Sequence, residues 1–265
     1  MSDCALHALG VRKYVLWPHA GLYSPAMTRT LLVIRDPAGE AAANMAADLA
    51  LLRTAVTECC VCLRLYSWAR PTVSLGFMQR PEETLDLAAL ERDHACWVRR
   101  PTGGRAVLHD SDLTYCVAFP LGMPGMGGSI QASYRVIGAC LAEGLRLAGI
   151  ETDAHASTLD AALVRREGKL PCFLAPNREE VMAGGRKLVG SAQKRSSKGV
   201  LQHGSMPLTP AFRRLPEYLK LSEERRATYR RLLESKCVCV EELRSGVTGE
   251  RLAACLEDGF RQTLS

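Results

Sequence analysis

Arg99-Arg100-Pro101-Thr102-Gly103-Gly104-Arg105-Ala106-Val107-Leu108-His109-Asp110-Ser111-Asp112-Leu113-Thr114-Tyr115 is the stretch around which the chain is organised. Trp97 and Val98 lead into it as the end of an apolar strand, and Ala106, Val107 and Leu108 resume apolar character after the glycines. Paired glycines allow positive φ and leave room for a ligand against the main chain. Arg100 and Arg105 offer fixed, fork-shaped donors on either side. The local pattern supports two readings: a β-hairpin turning at Gly103-Gly104 with solvated arginines, or a ligand loop.

Outward from this loop, the pattern is that of alternating strands and helices. Thr28 to Asp36 reads as a first strand, Cys60–Tyr66 and Thr72–Phe77 as two more, and Leu113–Phe119 as another. Asp36-Pro37 is a helix-start signal for the Ala-, Leu- and Met-rich segment Glu40–Leu52. Glu82–Arg92 and Ile130–Leu147 read as helices, the latter with Val136, Ile137, Cys140, Leu141 and Leu145 near one face. Gly185–Arg195 as one strand would put Lys187, Val189, Ser191 and Gln193 on one face; a solvated edge strand is the alternative. After a turn at Ser196-Ser197-Lys198, Gly199–Ser205 returns as the next strand and brings His203 near Ser191, where a structural histidine is the simpler role. Beyond Pro207 the chain is helical and charged.

Composition narrows the function class. A chain of 265 residues with 47% hydrophobic and 23% charged residues can bury a full core without staples. Its 11 cysteines are odd in number and irregularly spaced, which fits buried thiols better than zinc. Net charge is +6, and five basic residues with no acidic one lie between Arg186 and Lys198. That face suits an acidic protein; aromatics are only 6%, with no stacking platform for nucleic acid. No apolar run reaches membrane-spanning length, and the N-terminus lacks a secretory pattern, so a cytoplasmic location is expected.

One cysteine stands apart. Pro171-Cys172-Phe173-Leu174-Ala175-Pro176-Asn177 follows a polar stretch, is bracketed by prolines and precedes a basic, glycine-rich strand. A small buried hydrophobe is the ordinary role for such a thiol. A thiolate near cations is a competent nucleophile.

Arg100-x-Thr102-Gly103-Gly104-Arg105-Ala106-Val107-Leu108-His109-Asp110 resembles the signature loop of the lipoate/octanoate protein-transferase family, which shares its catalytic domain with biotin protein ligases. Ligases usually carry Gly-Gly-Gly here, and Arg105 resembles the octanoyltransferase branch. Asn44-Met45-Ala46-x-Asp48 resembles the family's first helix, although an ordinary packing helix accounts for most of its positions. Trp68 with Gly76-Phe77-Met78-Gln79 resembles the border of the acyl pocket, and Trp68 by itself reads as a core anchor. The Cys172 run resembles the Cys-Phe-x-x-Pro element of the monomeric octanoyltransferases, with Asn177 in place of a serine. Gly185–Arg195 and Gly199–Ser205 match two further stretches, so the resemblance covers roughly residues 30 to 208.

The resemblance implies an α/β (α+β) fold, a mixed, largely antiparallel sheet flanked by helices. Residues 1–28 are then an unmatched extension, dispensable or the product of a mis-called start, and 29–265 a single catalytic domain whose part from about 209 is helical. Cys172 would carry the acyl group as a thioester and Lys187 would polarise its carbonyl. Substrate binding would fall to Arg100, Gly103, Gly104, Arg105, Ala106, Val107, His109, Gly190, Ser191, Ala192, His203 and Gly204. The implied reaction moves octanoyl (or lipoyl) from acyl carrier protein to a lysine of a lipoyl domain, typically the glycine-cleavage H protein. A monomer without metal or cofactor is expected. Three alternatives stay open: a lipoate ligase needing ATP and Mg, an amidotransferase between lipoyl domains, and a non-catalytic binder of acylated carriers. Arg105, Cys172 and the short C-terminus weigh against the first, and the Cys172/Lys187 pair against the last.

Overall fold

The computed structural model describes residues 11–16, 29–153 and 181–265. Val11–Leu16 (β1) pairs antiparallel with Arg29–Arg35 (β2), and Val61–Tyr66 (β3) runs parallel to β2. Thr72–Leu75 (β4), Cys96–Arg99 (β5) and Val107–His109 (β6) form a separate three-stranded sheet in the order β5-β4-β6. Asp112–Pro120 (β7) returns to the main sheet. Met182–Ala183 (β8) and Arg186–Lys187 (β9) make a small hairpin. Gly190–Arg195 (β10) and Gly199–Pro207 (β11) complete the main sheet, ordered β1-β2-β3-β7-β11-β10, in which β2 and β3 are the parallel neighbours. This is the mixed, largely antiparallel sheet the resemblance implies.

Because strand side chains alternate, each strand feeds two cores. Val61, Leu63 and Leu65 of β3, with Tyr115, Val117 and Phe119 of β7, face one side. There Ile130–Leu147 (α2) and Gly249–Leu264 (α4) cover them with Ile137, Leu141, Leu256 and Phe260. Cys62 and Tyr66, with Cys116 and Ala118, face the other side and Ala41–Thr57 (α1). The small sheet packs on a 3₁₀ segment, Pro210–Tyr218, and on Glu223–Lys236 (α3), through Leu75, Leu108, Phe212 and Tyr229. No helix among the described residues is long and apolar enough to cross a membrane.

Several local expectations differ from the structure. Gly103-Gly104 does not turn a hairpin: β5 and β6 lie on opposite sides of β4, parallel and antiparallel to it, and the loop crosses its end. Gly104 has φ +93°, and its carbonyl comes so close to Gly76 that a Cβ there would lie 1.9 Å from it. Arg100 is buried rather than solvated, and donates to the carbonyls of Ser74, Gly103 and Arg105 at 2.8, 3.0 and 2.7 Å. Gly185–Arg195 is broken into β9 and β10, so Lys187 does not share a face with Ser191 and Gln193. Helix α1 starts at Ala41 rather than at Asp36-Pro37, because Asp36 is engaged by Arg64 at 2.6 Å. Finally, Val11–Leu16, without clear period in the sequence, is an edge strand that buries Leu16 and reaches α4 through Arg12 and Tyr14 to Glu257.

Candidate active site

A mostly apolar cavity lies on the α1 side of the main sheet, where β10 and β11 meet the Arg99–Tyr115 loop. Met45 of α1, Tyr66 and Trp68 at the end of β3, Val107 of β6 and Ala192 of β10 give it apolar surface. His109, Ser74, Thr114, His203 and Ser205 also line it, yet their polar atoms point into two hydrogen-bonded hubs.

The first hub is Asp48, fully buried on α1. Its Oδ1 meets Arg64 Nη1 at 2.8 Å, while Tyr66 Oη donates to Oδ2 at 3.0 Å and His203 Nδ1 lies 2.9 Å from Oδ2. Asn44, one turn earlier, accepts from Arg64 Nη2 at 2.9 Å. A buried guanidinium and a buried carboxylate need such full satisfaction to be tolerated. Burial pushes the His203 imidazole below its ordinary value, although Asp48 opposes this. The neutral ring then donates from Nδ1 to Asp48 and accepts at Nε2 from Thr102 Oγ1, 2.7 Å away. Bonded at both ring nitrogens, the histidine ties the signature loop to the sheet.

The second hub is Asp112, whose Oδ2 receives Thr114 at 3.0 Å, Ser205 at 2.5 Å and His109 Nδ1 at 2.8 Å. His109 Nε2 is 2.8 Å from Ser74 Oγ, and its ring stacks on Trp68 with centroids 4.2 Å apart. Trp68 Nε1 donates to Thr114 at 2.9 Å. Ser191 is held by Tyr115 Oη at 2.7 Å, and burial raises that phenol to about 12. The wall is therefore rigid, and its polar groups face one another more than the cavity.

Of the residues singled out in the sequence, Arg100, Val107, His109, Gly190, Ser191, Ala192, His203 and Gly204 line this cavity. Gly103, Gly104, Arg105, Ala106 and Lys187 are not among its lining residues. Arg105 and Ala106 line a neighbouring groove. Lys187 is buried in β9, where its carbonyl accepts from Val238 N at 3.0 Å, three residues before Gly190. Cys172 lies outside the described residues. Sequence reasoning missed Asp48 and Asp112 as anchors. The legible signal was an acid inside an Ala- and Leu-rich helix, four residues after Asn44.

The nine described cysteines are free thiols, and none lines the cavity. Burial pushes Cys116 well up and Cys140 to about 12, so both are poor thiolates. Among the described residues no group of three or more His, Cys, Asp or Glu could hold a metal ion.

Residues 40–261 match the family model described as lipoyl protein ligase A/B catalytic domain. A protein named octanoyltransferase LipM from Kyrpidia tusciae is 40% identical over 242 residues, 89% of this chain and 88% of its own. The proteins of that name from Moorella thermoacetica and Bacillus cereus are 42% and 35% identical, over 72% and 76% of this chain and 68% and 74% of theirs. Among solved structures, a bi-partite lipoate protein ligase from Thermoplasma acidophilum superposes with TM-score 0.72 at 22% identity, covering 88% of this chain and 82% of that one. Lipoate-protein ligase A bound with ATP gives 0.69 at 24% identity, covering 88% and 84%. These two likenesses establish the fold. The chain belongs to the lipoyl protein ligase A/B catalytic-domain family and, within it, to the branch of the octanoyltransferases, which are acyltransferases.

Proposed function

We propose that this chain transfers an octanoyl group from acyl carrier protein, through a thioester on Cys172, to a lysine of a lipoyl domain such as the glycine-cleavage H protein. The observation that carries the reading is the mostly apolar cavity under the signature loop. Its histidines and hydroxyls are already paired within its walls. Such a surface suits an unbranched hydrocarbon chain better than a polar metabolite.

In the proposed first step the Cys172 thiolate adds to the donor thioester carbonyl. The bond to the carrier thiol breaks, and the departing thiolate takes up the proton that Cys172 gave. Lys187 and backbone N–H groups are assigned to the developing oxyanion. In support of that assignment, the described ends of the segment carrying Cys172 meet at the Lys187 hairpin: Asp153 N donates to Met182 O at 2.8 Å, and Met182 pairs with Lys187. In the second step the acceptor lysine amine attacks the acyl-enzyme, loses a proton and expels the Cys172 thiolate. Thioester exchange is nearly neutral and amide formation is downhill, so the sequence of steps runs without ATP.

The test is intact-mass spectrometry of the protein mixed with octanoyl-acyl carrier protein, without ATP, for wild type and Cys172→Ser. The expected result is a hydroxylamine-labile octanoyl adduct on wild type alone. An adduct on the serine variant, or acylation of acceptor that requires ATP and free octanoate, would overturn the reading.

A further inference from the structure

Beside the acyl cavity lies a second concavity of about 640 Å³ that the proposed chemistry leaves unused. Arg105, Lys220 and Arg225 bring three cations to it. Its lining includes one carboxylate, Glu83, which is engaged by Arg80 at 3.0 Å. The positive excess is built from separate elements: Arg105 from the signature loop, Lys220 from the segment after the 3₁₀ helix, Arg225 from the first turn of α3. The Arg105 backbone and the Lys220 and Arg225 side chains are held in place. The Arg105 carbonyl receives Arg100 Nη2 at 2.7 Å, Lys220 Nζ donates to Glu82 O at 2.7 Å, and Arg225 Nη2 donates to Tyr229 Oη at 3.2 Å. The rest of the wall includes Ala106, Leu219 and Leu221, an aliphatic strip beside the cations.

The groove and the cavity share one stretch of chain. Thr102 is bonded to His203 of the cavity, and Arg105, three residues on, lines the groove. Between them run Gly103 and Gly104, exposed and without side chains, and open space lies where a Gly103 Cβ would stand. A ligand laid across Gly103-Gly104 would have one end in each concavity. The end in the groove would carry negative charge next to a branched aliphatic group, and the end in the cavity a hydrocarbon chain.

Resting on the octanoyl-carrier reading above, we infer that the Arg105–Lys220–Arg225 groove binds the phosphate of the donor's phosphopantetheine arm. That arm carries its phosphate beside a carbon bearing two methyl groups, and its acyl thioester at the far end. Two guanidinium forks and an ammonium suit a phosphate, and the leucines suit the methyl groups.

The experiment compares two small donors that differ by the phosphate alone, octanoyl-phosphopantetheine and octanoyl-pantetheine. The wild type is expected to show a KM about tenfold lower for the phosphorylated donor, the scale of one charge-assisted contact. The Lys220→Gln/Arg225→Gln double variant should lose that preference, and Arg105→Gln, which keeps both other cations, should lose part of it. Equal KM values for the two donors in wild type would overturn the inference. So would a variant that raises both KM values alike, since that marks a structural defect. Octanoyl-acyl carrier protein separates the sources: a variant impaired with the free donor alone would show a site for free phosphate monoesters, contrary to the carrier assignment. If wild type turned over no donor, the reaction itself would fail. Calorimetric titration of phosphopantetheine into wild type and the double variant would then decide the groove alone, with tighter binding by wild type expected and equal binding overturning it.

Discussion

The two faces of the six-stranded sheet use the same strands for opposite purposes. On the α2–α4 face, Leu63, Val117, Phe119, Leu141, Leu256 and Phe260 make a continuous apolar core. On the α1 face, the alternate residues of those strands include Arg64, Thr114 and Cys116, and the helix answers with Asn44, Met45 and Asp48. Each face also anchors on a buried carboxylate of a helix, Glu257 of α4 and Asp48 of α1, with 2% and 0% of the side chain exposed. Glu257 gathers Arg12, Tyr14 and Arg35 at the sheet's outer edge, whereas Asp48 gathers Arg64, Tyr66 and His203 beneath the cavity. The contrast teaches a division of labour: one face supplies stability, and the other accepts the desolvation of charge in order to hold a binding wall still.

The largest expected effect tests that division directly. Asp48→Ala would take the buried carboxylate partner from Arg64 Nη1, leaving Asp36 and Asn44 on its other nitrogens, and release Tyr66 and His203, at about 3–5 kcal/mol. Denaturant unfolding measures the loss, and octanoyl transfer should collapse even where the variant is fully folded. Leu256→Ala on the opposite face should cost about 2–5 kcal/mol through the cavity it leaves. It should leave the KM of the folded fraction unchanged. If Leu256→Ala altered KM as Asp48→Ala does, the two faces would not be separable.

The apolar face was legible in the sequence because its information is periodic. Ile130–Leu147 has the bounds expected from its pattern, and the strands expected over Cys60–Tyr66 and Leu113–Phe119 stand at Val61–Tyr66 and Asp112–Pro120. The polar face was legible only where motif spacing carried it, at Arg100, His109 and His203. Asp48 escaped because an acid inside a helix looks solvated until the facing strand, 16 residues on, is known to bring Arg64. The hairpin reading of Gly103-Gly104 failed for a related reason: the strand that separates β5 from β6 precedes both in sequence. Residues 11–16 hid because Lys13 and Val15 face outward on a short edge strand. A truncation starting at Met27 sharpens the point. The sequence reading makes residues 1–28 dispensable, yet loss of β1 should remove about 1.5–3 kcal/mol from burial of Leu16 alone. A lowered melting temperature is the expected result.

The faces should also part in pH. The folded-state value of His203 is depressed by burial, so the folded protein binds its proton less readily than the unfolded chain. Its stabilising contribution is complete above the unfolded value near 6.5 and is lost as pH falls from there toward the depressed folded value. For Glu257, burial alone would raise the carboxyl, but Tyr14, Arg35 and Arg12 outweigh it and hold it below its ordinary value. Its contribution persists to lower pH, full above about 4.3 and lost as pH falls through the folded value. Stability measured from pH 7 to 3 should therefore fall in two stages, and His203→Gln should flatten the upper one. A single stage below 4.3 in wild type would show that His203 is not the weak point of the α1 face.

The smallest effect concerns the arginines themselves. Arg12 and Arg64 each reach a buried carboxylate, at 3.2 and 2.8 Å, yet their side chains are 54% and 5% exposed. Water already stabilises the Arg12 guanidinium, and Arg35 and Tyr14 still satisfy Glu257 without it. Arg12→Ala should therefore cost no more than about 1 kcal/mol, and less at high salt. Arg64→Ala would leave Asp48 buried beside Tyr66 and His203 without its cation, and salt cannot reach that site to screen it. A double-mutant cycle at low and high salt reads the difference. Salt dependence confined to the Arg12–Glu257 pair is expected, and equal salt dependence in both pairs would mean that the α1 face is wetter than its geometry shows.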